Sequence, residues 1–552
     1  MFNMRLVVLC LSVLAYVNSL VAADYQWSVM APAMKKGQPR AFLWIPPKCK
    51  QVRAVVLSQD AVMGCTVFDN PVFRQTMSDL DFALLWTDGK WEGSFPFDQG
   101  AGECVLSLLD LLAEESGYEE LSVAPIVPIG YSWHASYPWN FAAWNPERTL
   151  AVLSIHGDAP LSNVTGSGHS NPDWGNRNID GIPGLQVMGE FEFTEERLQP
   201  ALDFQERFPN AVITVLPEIG MSHHSFTDEM IGFLSLFLRK VAVARLPREM
   251  SLNEPAVLRK VKKEDGWLIE RWRGWERRKE KSAPYSLYKG DKRNAFWCID
   301  EEMARAIEHF YDDRKYAQLI GYEENGKVVS EDKNTMQQSS LNIRLTEDGE
   351  HFALKPVFLE KVPEGNPEWW SHKVARDTIG HASGGGPIQF RPYSLECCES
   401  APGEWRLNFH RGFPPSKDRK RATVWFLAYH PGDDKYRAAV GPGAIVDFPV
   451  WNDEGKKQKI LFPDIPDMYN DTQYYSLKAK SSEGLEVHYY VLAGPVEVVG
   501  DKLKLTGIPP KAKFPLKVTV VAWQHGRLGE PKIQTAEPVI KSFYIRKRND
   551  KY

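Results

Sequence analysis

Cysteine, long apolar runs and a strong net charge are all scarce in this 552-residue chain. Of its seven cysteines, Cys10 lies in an N-terminal apolar run, which leaves six. That density is too low for a disulfide framework, although an even number permits disulfides in an oxidising compartment. Beyond residue 23 no stretch reaches 18 apolar residues, so no membrane span is expected. The net charge of −5 gives no reason to expect a nucleic-acid partner.

Metal-binding motifs are also lacking. The chain has no CxxC pair and no HExxH, and its histidines do not fall at ligand spacing, so we expect no metal site and no cofactor. A hydrophobic content of 43% and a charged content of 25% are typical of a globular protein of several domains. The 18 Trp, 20 Tyr and 27 Phe residues fit either sugar stacking or the cores of β-sandwiches.

The N-terminus has the pattern of an export signal. Arg5 precedes the mostly apolar residues 6–17, and Val21-Ala22-Ala23 provides small residues before Asp24. We therefore predict a signal peptide over residues 1–23, which implies a periplasmic or secreted protein.

Residues 24–245 alternate between strand and helix patterns, which indicates a mostly parallel α/β sheet covered by helices on both faces. The predicted strands lie at 40–45, 53–57, 82–87, 125–129, 150–155, 185–188 and 211–216, and the predicted helices at 71–80, 104–116, 135–144 and 225–241.

The remainder of the chain differs in character. Residues 246–315 are charge-dense and include Trp267, Trp272 and Trp275, which predicts a charged helical linker whose tryptophans pack on a neighbouring domain. Residues 316–458 show short alternating strands between Gly, Pro and Asp turns, as in a β-sandwich. Residues 459–552 resemble a bacterial immunoglobulin-like domain, on the segments 481–485, 487–491 and 518–523.

Ser132 stands where a buried strand turns into a helix, within Gly130-Tyr131-Ser132-Trp133-His134. A serine on such a tight turn projects its hydroxyl above the sheet, and small residues are needed around it. Gly130 meets that need. His134 departs from the pattern, because it stands where G-x-S-x-G has its second glycine.

A serine nucleophile needs a base, and the base needs an acid to orient it. His223 lies in a Gly-containing loop between the last predicted strand of the sheet and the final helix, with His224 as the alternative. Glu192 lies three residues after Gly189, just beyond the preceding strand, with Glu190 as the alternative acid.

The order Ser132, Glu192, His223, each beyond a successive strand, resembles that of the α/β-hydrolase superfamily. The resemblance extends over residues 23–244 and implies a serine hydrolase that works through an acyl-enzyme. It also implies two backbone N–H donors for the oxyanion, which we assign to Trp133 and Asp60. Long loops near these positions predict a substrate pocket formed by Trp91, Trp174, Arg177 and His134.

An exported hydrolase with β-sandwich appendages and many tryptophans looks like the carbohydrate esterases of polysaccharide-degrading bacteria. This analogy predicts removal of acetyl, methyl or aromatic ester groups from a polysaccharide. Three alternatives stay open: an inactive hydrolase that binds carbohydrate, a serine peptidase, and adhesion through the β-rich residues 316–552.

Overall fold

The computed structural model describes residues 24–32, 39–88, 94–164, 170–273, 278–310, 315–330, 339–391 and 393–548. The predicted signal peptide lies outside them. The helices in this part of the chain are α1 (Ala61–Cys65), α2 (Pro71–Leu80), α3 (Ala101–Ser116), α4 (Tyr137–Trp144), α5 (Glu195–Arg207), α6 (Asp228–Arg245) and α7 (Glu301–Phe310).

The strands of the N-terminal part are β1 (Trp27–Met30), β2 (Arg40–Trp44), β3 (Ala54–Ser58), β4 (Phe82–Thr87), β5 (Ile126–Tyr131), β6 (Val152–Ile155), β7 (Pro183–Gly189) and β8 (Val212–Glu218). They form one sheet in the order β1-β2-β4-β3-β5-β6-β7-β8. The β1/β2 and β2/β4 pairs are antiparallel and all other pairs are parallel. This is the α/β-hydrolase fold, so the predicted fold class is confirmed.

Helices α2 and α6 begin at residues whose side chains cap the first turn. Asn70 accepts N–H bonds from the first turn of α2, which has Pro71 at its start, and Thr227 caps α6 in the same way. Three elements of this domain were not predicted. The short edge strand β1 lies before the first predicted strand, and α1 has only five residues. Helix α5 contains Pro200, which obscures its helical pattern.

The predicted helical linker is wrong in part, because it contains a small sheet. Strands β9 (Trp267–Glu270), β10 (Ala283–Pro284) and β11 (Ala295–Cys298) pair in the order β10-β9-β11, and only α7 is an α-helix there among the described residues. Trp272 is buried and its ring meets Phe193 edge-on at 4.5 Å, as expected for a tryptophan that packs on a neighbouring domain. Trp275 lies outside the described residues.

The middle domain is built from short strands, as predicted for residues 316–458. Its strands are β12 (Ile320–Glu324), β13 (Lys327–Val329), β14 (Ser339–Leu341), β15 (His351–Ala353), β16 (Pro356–Phe358), β17 (Gln389–Arg391), β18 (Cys397–Ala401), β19 (Glu404–Leu407), β20 (Arg421–His430) and β21 (Ala439–Pro449). They form sheets in the orders β14-β21-β20-β17, β13-β12-β16 and β15-β19-β18.

The C-terminal domain is also β-rich. Its strands are β22 (Ile460–Leu461), β23 (Met468–Tyr469), β24 (Tyr474–Ser476), β25 (Lys480–Ser481), β26 (His488–Ala493), β27 (Val496–Val499), β28 (Lys502–Leu505), β29 (Leu516–Trp523) and β30 (Val539–Arg546). Its two larger sheets have the orders β23-β30-β29-β26 and β24-β28-β27. The resemblance of this domain to immunoglobulin-like domains stays a prediction.

The C-terminal domain folds back onto the hydrolase domain. Tyr25 and Gly494 form an antiparallel bridge, and the Thr506 hydroxyl donates to Asp24 Oδ2 at 2.7 Å. Lys511 forms an ion pair of 2.7 Å with the buried Glu120. A single apolar core therefore continues from the eight-stranded sheet into the C-terminal domain.

Six cysteines lie in the described part of the chain, and all of them are unpaired there. Within the described residues, no cluster of three or more His, Cys, Asp or Glu side chains is arranged to hold a metal ion. None of the helices described is long and apolar enough to cross a membrane.

Candidate active site

The turn at Ser132 is a strained and crowded elbow. Ser132 has φ of 51°, in the left-handed region that non-glycine residues rarely adopt. A Cβ on Gly130 would lie 2.0 Å from the carbonyl oxygen of His134, so only glycine fits there. The loop after β6 also packs closely against the elbow. A Cβ on Gly157 in that loop would lie 2.0 Å from the Cβ of Ala135.

Three side chains from three loops form a continuous hydrogen-bonded triad. The Ser132 hydroxyl lies 2.7 Å from His223 Nε2, and His223 Nδ1 lies 2.7 Å from Glu192 Oε2. Ser132 follows β5, Glu192 follows β7 and His223 follows β8, all at the carboxyl edge of the sheet. In this arrangement the imidazole can take the hydroxyl proton while the carboxylate stabilises the resulting cation.

Glu192 is buried but has a full set of donors. Arg197 Nη1 donates to its Oε2 at 2.7 Å, while the Gly189 N–H and His156 Nδ1 bond to its Oε1 at 2.9 and 2.5 Å. Burial alone would raise the pKa of Glu192, but the charges of Arg197, His156 and His223 outweigh it and hold the pKa well below its ordinary value. The acid is therefore ionised at neutral pH.

His223 is poised as a neutral base. Burial lowers its pKa from the ordinary 6.5, and this effect exceeds the opposing attraction of Glu192. The unprotonated Nε2 can then accept the proton of Ser132 near neutral pH.

His224 and Glu190, the two alternatives, have other partners. His224 Nδ1 lies 2.9 Å from the Tyr131 hydroxyl and 2.8 Å from the Tyr393 hydroxyl. Glu190 Oε2 lies 2.8 Å from Arg437 Nη2 and accepts the N–H of Gly220 at 2.7 Å. The geometry therefore favours His223 as the base and Glu192 as the acid.

The middle domain contacts both the loop that carries Glu192 and the loop that carries His223. In the first of these, residues 190–194 after β7 (the acid loop), Glu190 bonds to Arg437 of the middle domain. Arg437 also donates to the carbonyl of Trp370 at 2.9 Å. The Trp370 ring stacks on Phe191 at 4.6 Å. The loop after β8 that carries His223 also lies close to the middle domain, because a Cβ on Gly220 would lie 2.3 Å from the carbonyl oxygen of Ala438. The contacts fix the two loops against each other and against the middle domain.

Tyr393 extends this contact to the elbow itself. Its hydroxyl lies 2.9 Å from that of Tyr131, the residue before Ser132. Burial raises the pKa of both phenols, so they stay protonated and act as neutral hydrogen-bonding groups.

The residues expected to bind the oxyanion flank the elbow. Trp133 begins the short turn after Ser132, and its side chain is 42% exposed. Asp60 follows β3, the neighbour of β5, and its side chain caps α1 by accepting the Val62 N–H at 2.8 Å. His134 is buried, with Nδ1 3.3 Å from Asp60 Oδ2, so its ring packs against this loop and is not exposed as a pocket wall would be.

The predicted pocket residues Trp174 and Arg177 line a cavity of about 500 Å³ together with Arg207. Trp174 is buried, donates to Asn140 of α4 and meets Phe204 edge-on at 5.8 Å. Arg177 lies over the Phe97 ring at 5.1 Å. The role of both residues in binding substrate stays a prediction. Trp91 lies outside the described residues.

Several residues around the site escaped the sequence analysis. His156, in the sequence His156-Gly157-Asp158, directly follows β6, between the strands that lead to Ser132 and Glu192. A histidine at that edge of the sheet was a usable signal. Tyr393 and Arg437 gave none, because they belong to a domain far away along the chain.

Comparisons with known proteins add little to this geometry. No family model matches the chain, and no curated protein matches it. A thermostable carboxylesterase cloned from a metagenomic library is 16% identical over 41% of this chain and 91% of its own, with a TM-score of 0.29. A Pyrobaculum calidifontis esterase is 16% identical over 40% and 86%, at 0.28. An Agrobacterium tumefaciens S-formylglutathione hydrolase is 14% identical over 39% and 93%, at 0.28.

Proposed function

We propose that the protein is a serine hydrolase that cleaves carboxylic esters through an acyl-enzyme, with an ester-bearing polysaccharide as its substrate. The observation that carries the proposal is the hydrogen-bonded triad from Ser132 through His223 to Glu192, with both hydrogen bonds at 2.7 Å. A triad of this kind raises the nucleophilicity of the serine hydroxyl.

In the first half of the reaction, Ser132 Oγ attacks the ester carbonyl carbon while His223 Nε2 takes the hydroxyl proton. The oxyanion that forms is stabilised by the backbone N–H groups of Trp133 and Asp60. The C–O bond to the alcohol then breaks, and the imidazolium gives its proton to the leaving alkoxide. Water, deprotonated by His223, then attacks the acyl carbon. The bond from that carbon to Ser132 Oγ breaks, His223 returns the proton to Oγ, and the carboxylic acid leaves.

The polysaccharide part of the proposal is supported by the surroundings of Ser132. Trp133 is 42% exposed directly beside the nucleophile, where its indole would offer a flat apolar face to a sugar ring. Export through residues 1–23 would bring the enzyme to a polymer outside the cell.

The test is release of small products from acetylated, methyl-esterified and feruloylated polysaccharides. We expect acetate, methanol or ferulate from the wild type and from Ser235→Ala, a change at a buried serine on α6, but none from Ser132→Ala. Equal release by Ser132→Ala would contradict the proposal. Binding without release would indicate a carbohydrate-binding protein built on an inactive site, and cleavage of peptides alone would indicate a peptidase.

A further inference from the structure

We propose that His156 is a positioning residue of the active site, an imidazolium at neutral pH that holds the second oxygen of Glu192 and favours the unprotonated state of His223. The inference rests on the proposed function of the Ser132 site and extends it to a fourth side chain. It begins with the way in which two histidines share one carboxylate. His223 bonds to Oε2 of Glu192 at 2.7 Å, and His156 bonds to Oε1 at 2.5 Å.

The backbone at His156 is held in an unfavourable conformation. The residue has φ of 53°, and its side chain is completely buried. Its own carbonyl accepts a hydrogen bond from Arg197 Nη2 at 3.3 Å, so Arg197 holds both His156 and Glu192. A strained, fully buried histidine at the edge of a catalytic sheet is costly, and such strain concentrates at functional sites.

The hydrogen-bond partners of His156 require a proton on each ring nitrogen. Nδ1 faces the ionised Glu192, which can only accept. Nε2 lies 3.1 Å from the carbonyl oxygen of Ser225, which also can only accept. An imidazole that donates from both nitrogens is the imidazolium, so His156 carries a positive charge.

The charged and titratable groups around the ring agree with this state. They are Glu192, Glu218, Arg197, His223 and Tyr131. Glu218 Oε2 lies 3.6 Å from His156 Nε2. The ring centroids of His223 and Tyr131 lie 5.8 and 6.0 Å from that of His156. Burial would lower the pKa of His156, but Glu192 and Glu218 outweigh it and raise the pKa. Burial raises the pKa of Glu218 to about 7, so Glu218 is only partly ionised near neutral pH and Glu192 is the main counter-charge of His156.

Two consequences follow for catalysis. With Oε1 held by His156, Glu192 cannot rotate, and Oε2 stays directed at His223 Nδ1. The positive charge at 5.8 Å also lowers the pKa of His223, which adds to the larger lowering by burial. The first effect concerns geometry and the second concerns charge, so substitutions can separate them.

Three variants make the separation. His156→Asn places an amide N–H near the position of Nδ1, which keeps the bond to Glu192 without the charge, and asparagine tolerates positive φ. His156→Leu removes both the bond and the charge. His525→Asn, at another fully buried histidine in the C-terminal domain, is the control for the general cost of losing a buried imidazole.

The first readout is the rate of reaction of Ser132 with a fluorophosphonate between pH 5 and 9. For His156→Asn we expect the acidic limb of the profile to move to higher pH, with a plateau within about threefold of the wild type. For His156→Leu we expect a plateau lowered on the order of tenfold or more, because Glu192 loses a charged donor. His525→Asn should match the wild type. Unchanged profiles in both His156 variants would overturn the inference.

The second readout does not depend on reactivity. The pKa of the His223 ring, followed by NMR in protein with labelled histidine and assigned with His223→Gln, should rise in His156→Asn relative to the wild type. An unchanged His223 pKa would overturn the inference even if Ser132 reacts. If the wild type does not react with the fluorophosphonate at all, the proposed function fails, and the His223 titration still decides whether His156 carries a charge.

Discussion

The ion pair between Glu190 and Arg437 joins the acid loop to the middle domain, and breaking it should loosen the active site. The two side chains are 2% and 6% exposed, with Arg437 Nη2 2.8 Å from Glu190 Oε2 and Nη1 3.2 Å from Oε1. Arg437→Met removes the guanidinium from the buried Glu190 carboxylate, which keeps the hydrogen bond from the Gly220 N–H. Glu190→Gln leaves Arg437 as a buried cation in the same way.

The magnitude follows from this burial. Removing one partner of a buried ion pair costs about 3–5 kcal/mol, because the remaining charge stays desolvated. The double variant Glu190→Gln/Arg437→Met removes both charges and should cost less than the sum of the single changes by about 1–3 kcal/mol. Arg376→Met is the matched control, since its partner Glu364 and Arg376 itself are 69% and 79% exposed, and an exposed pair contributes about 0–1 kcal/mol.

The assay is the urea concentration at which half of the molecules lose reactivity of Ser132 towards a fluorophosphonate. This readout follows the integrity of the site itself, which suits a multidomain protein because two-state unfolding is a property of small single domains. The four Glu190 and Arg437 forms complete a double-mutant cycle. Strict additivity, or a loss in Arg437→Met no larger than in Arg376→Met, would refute the role of this pair in holding the acid loop.

Three further outcomes are expected. Glu192→Gln should lower kcat/KM by about 10³–10⁴-fold, because the amide no longer provides a charged acceptor for His223 Nδ1. A loss below tenfold would contradict the assignment of Glu192 as the acid. The kcat/KM of the wild type should fall at low pH with a midpoint below 6.5, since the pKa of His223 is lowered and its protonated form cannot act as a base; a midpoint above 6.5 would oppose this. Gly130→Ala should lower the free energy of unfolding by about 1–3 kcal/mol and slow the reaction of Ser132. Gly232→Ala in α6, where a Cβ meets no atom within 4 Å, should not destabilise the protein. Equal changes in Tm for the two variants would contradict the crowding at the elbow.

The order of elements in the hydrolase domain was predictable because each strand is an apolar run and the helices between them carry clear signals. Strand β4 and helix α2 have the bounds that the pattern predicts. Helix α3 begins three residues before its predicted start, because Gly100 at φ 95° lets the chain enter the helix at Ala101. Helix α5 was missed since an interior proline and many charged residues mask its apolar face.

The limits of sequence reasoning at the site have a physical cause. Ser132 follows a strand directly, and Glu192 and His223 lie three and five residues after the ends of theirs, so a local pattern marks each of them. A long loop such as the one that carries Trp174 has no such local pattern, so the sequence does not indicate which elements its residues contact. Contacts such as Arg437 with Glu190 depend on how two domains pack, and no local pattern encodes that packing.

The most direct test of the account is mass spectrometry of the folded protein after reaction with a fluorophosphonate. We expect one adduct per chain, located on Ser132, lost in Ser132→Ala and formed far more slowly in His223→Ala. Folded protein that gains no adduct, or that carries it on another residue, would contradict the claim that Ser132 is an activated nucleophile.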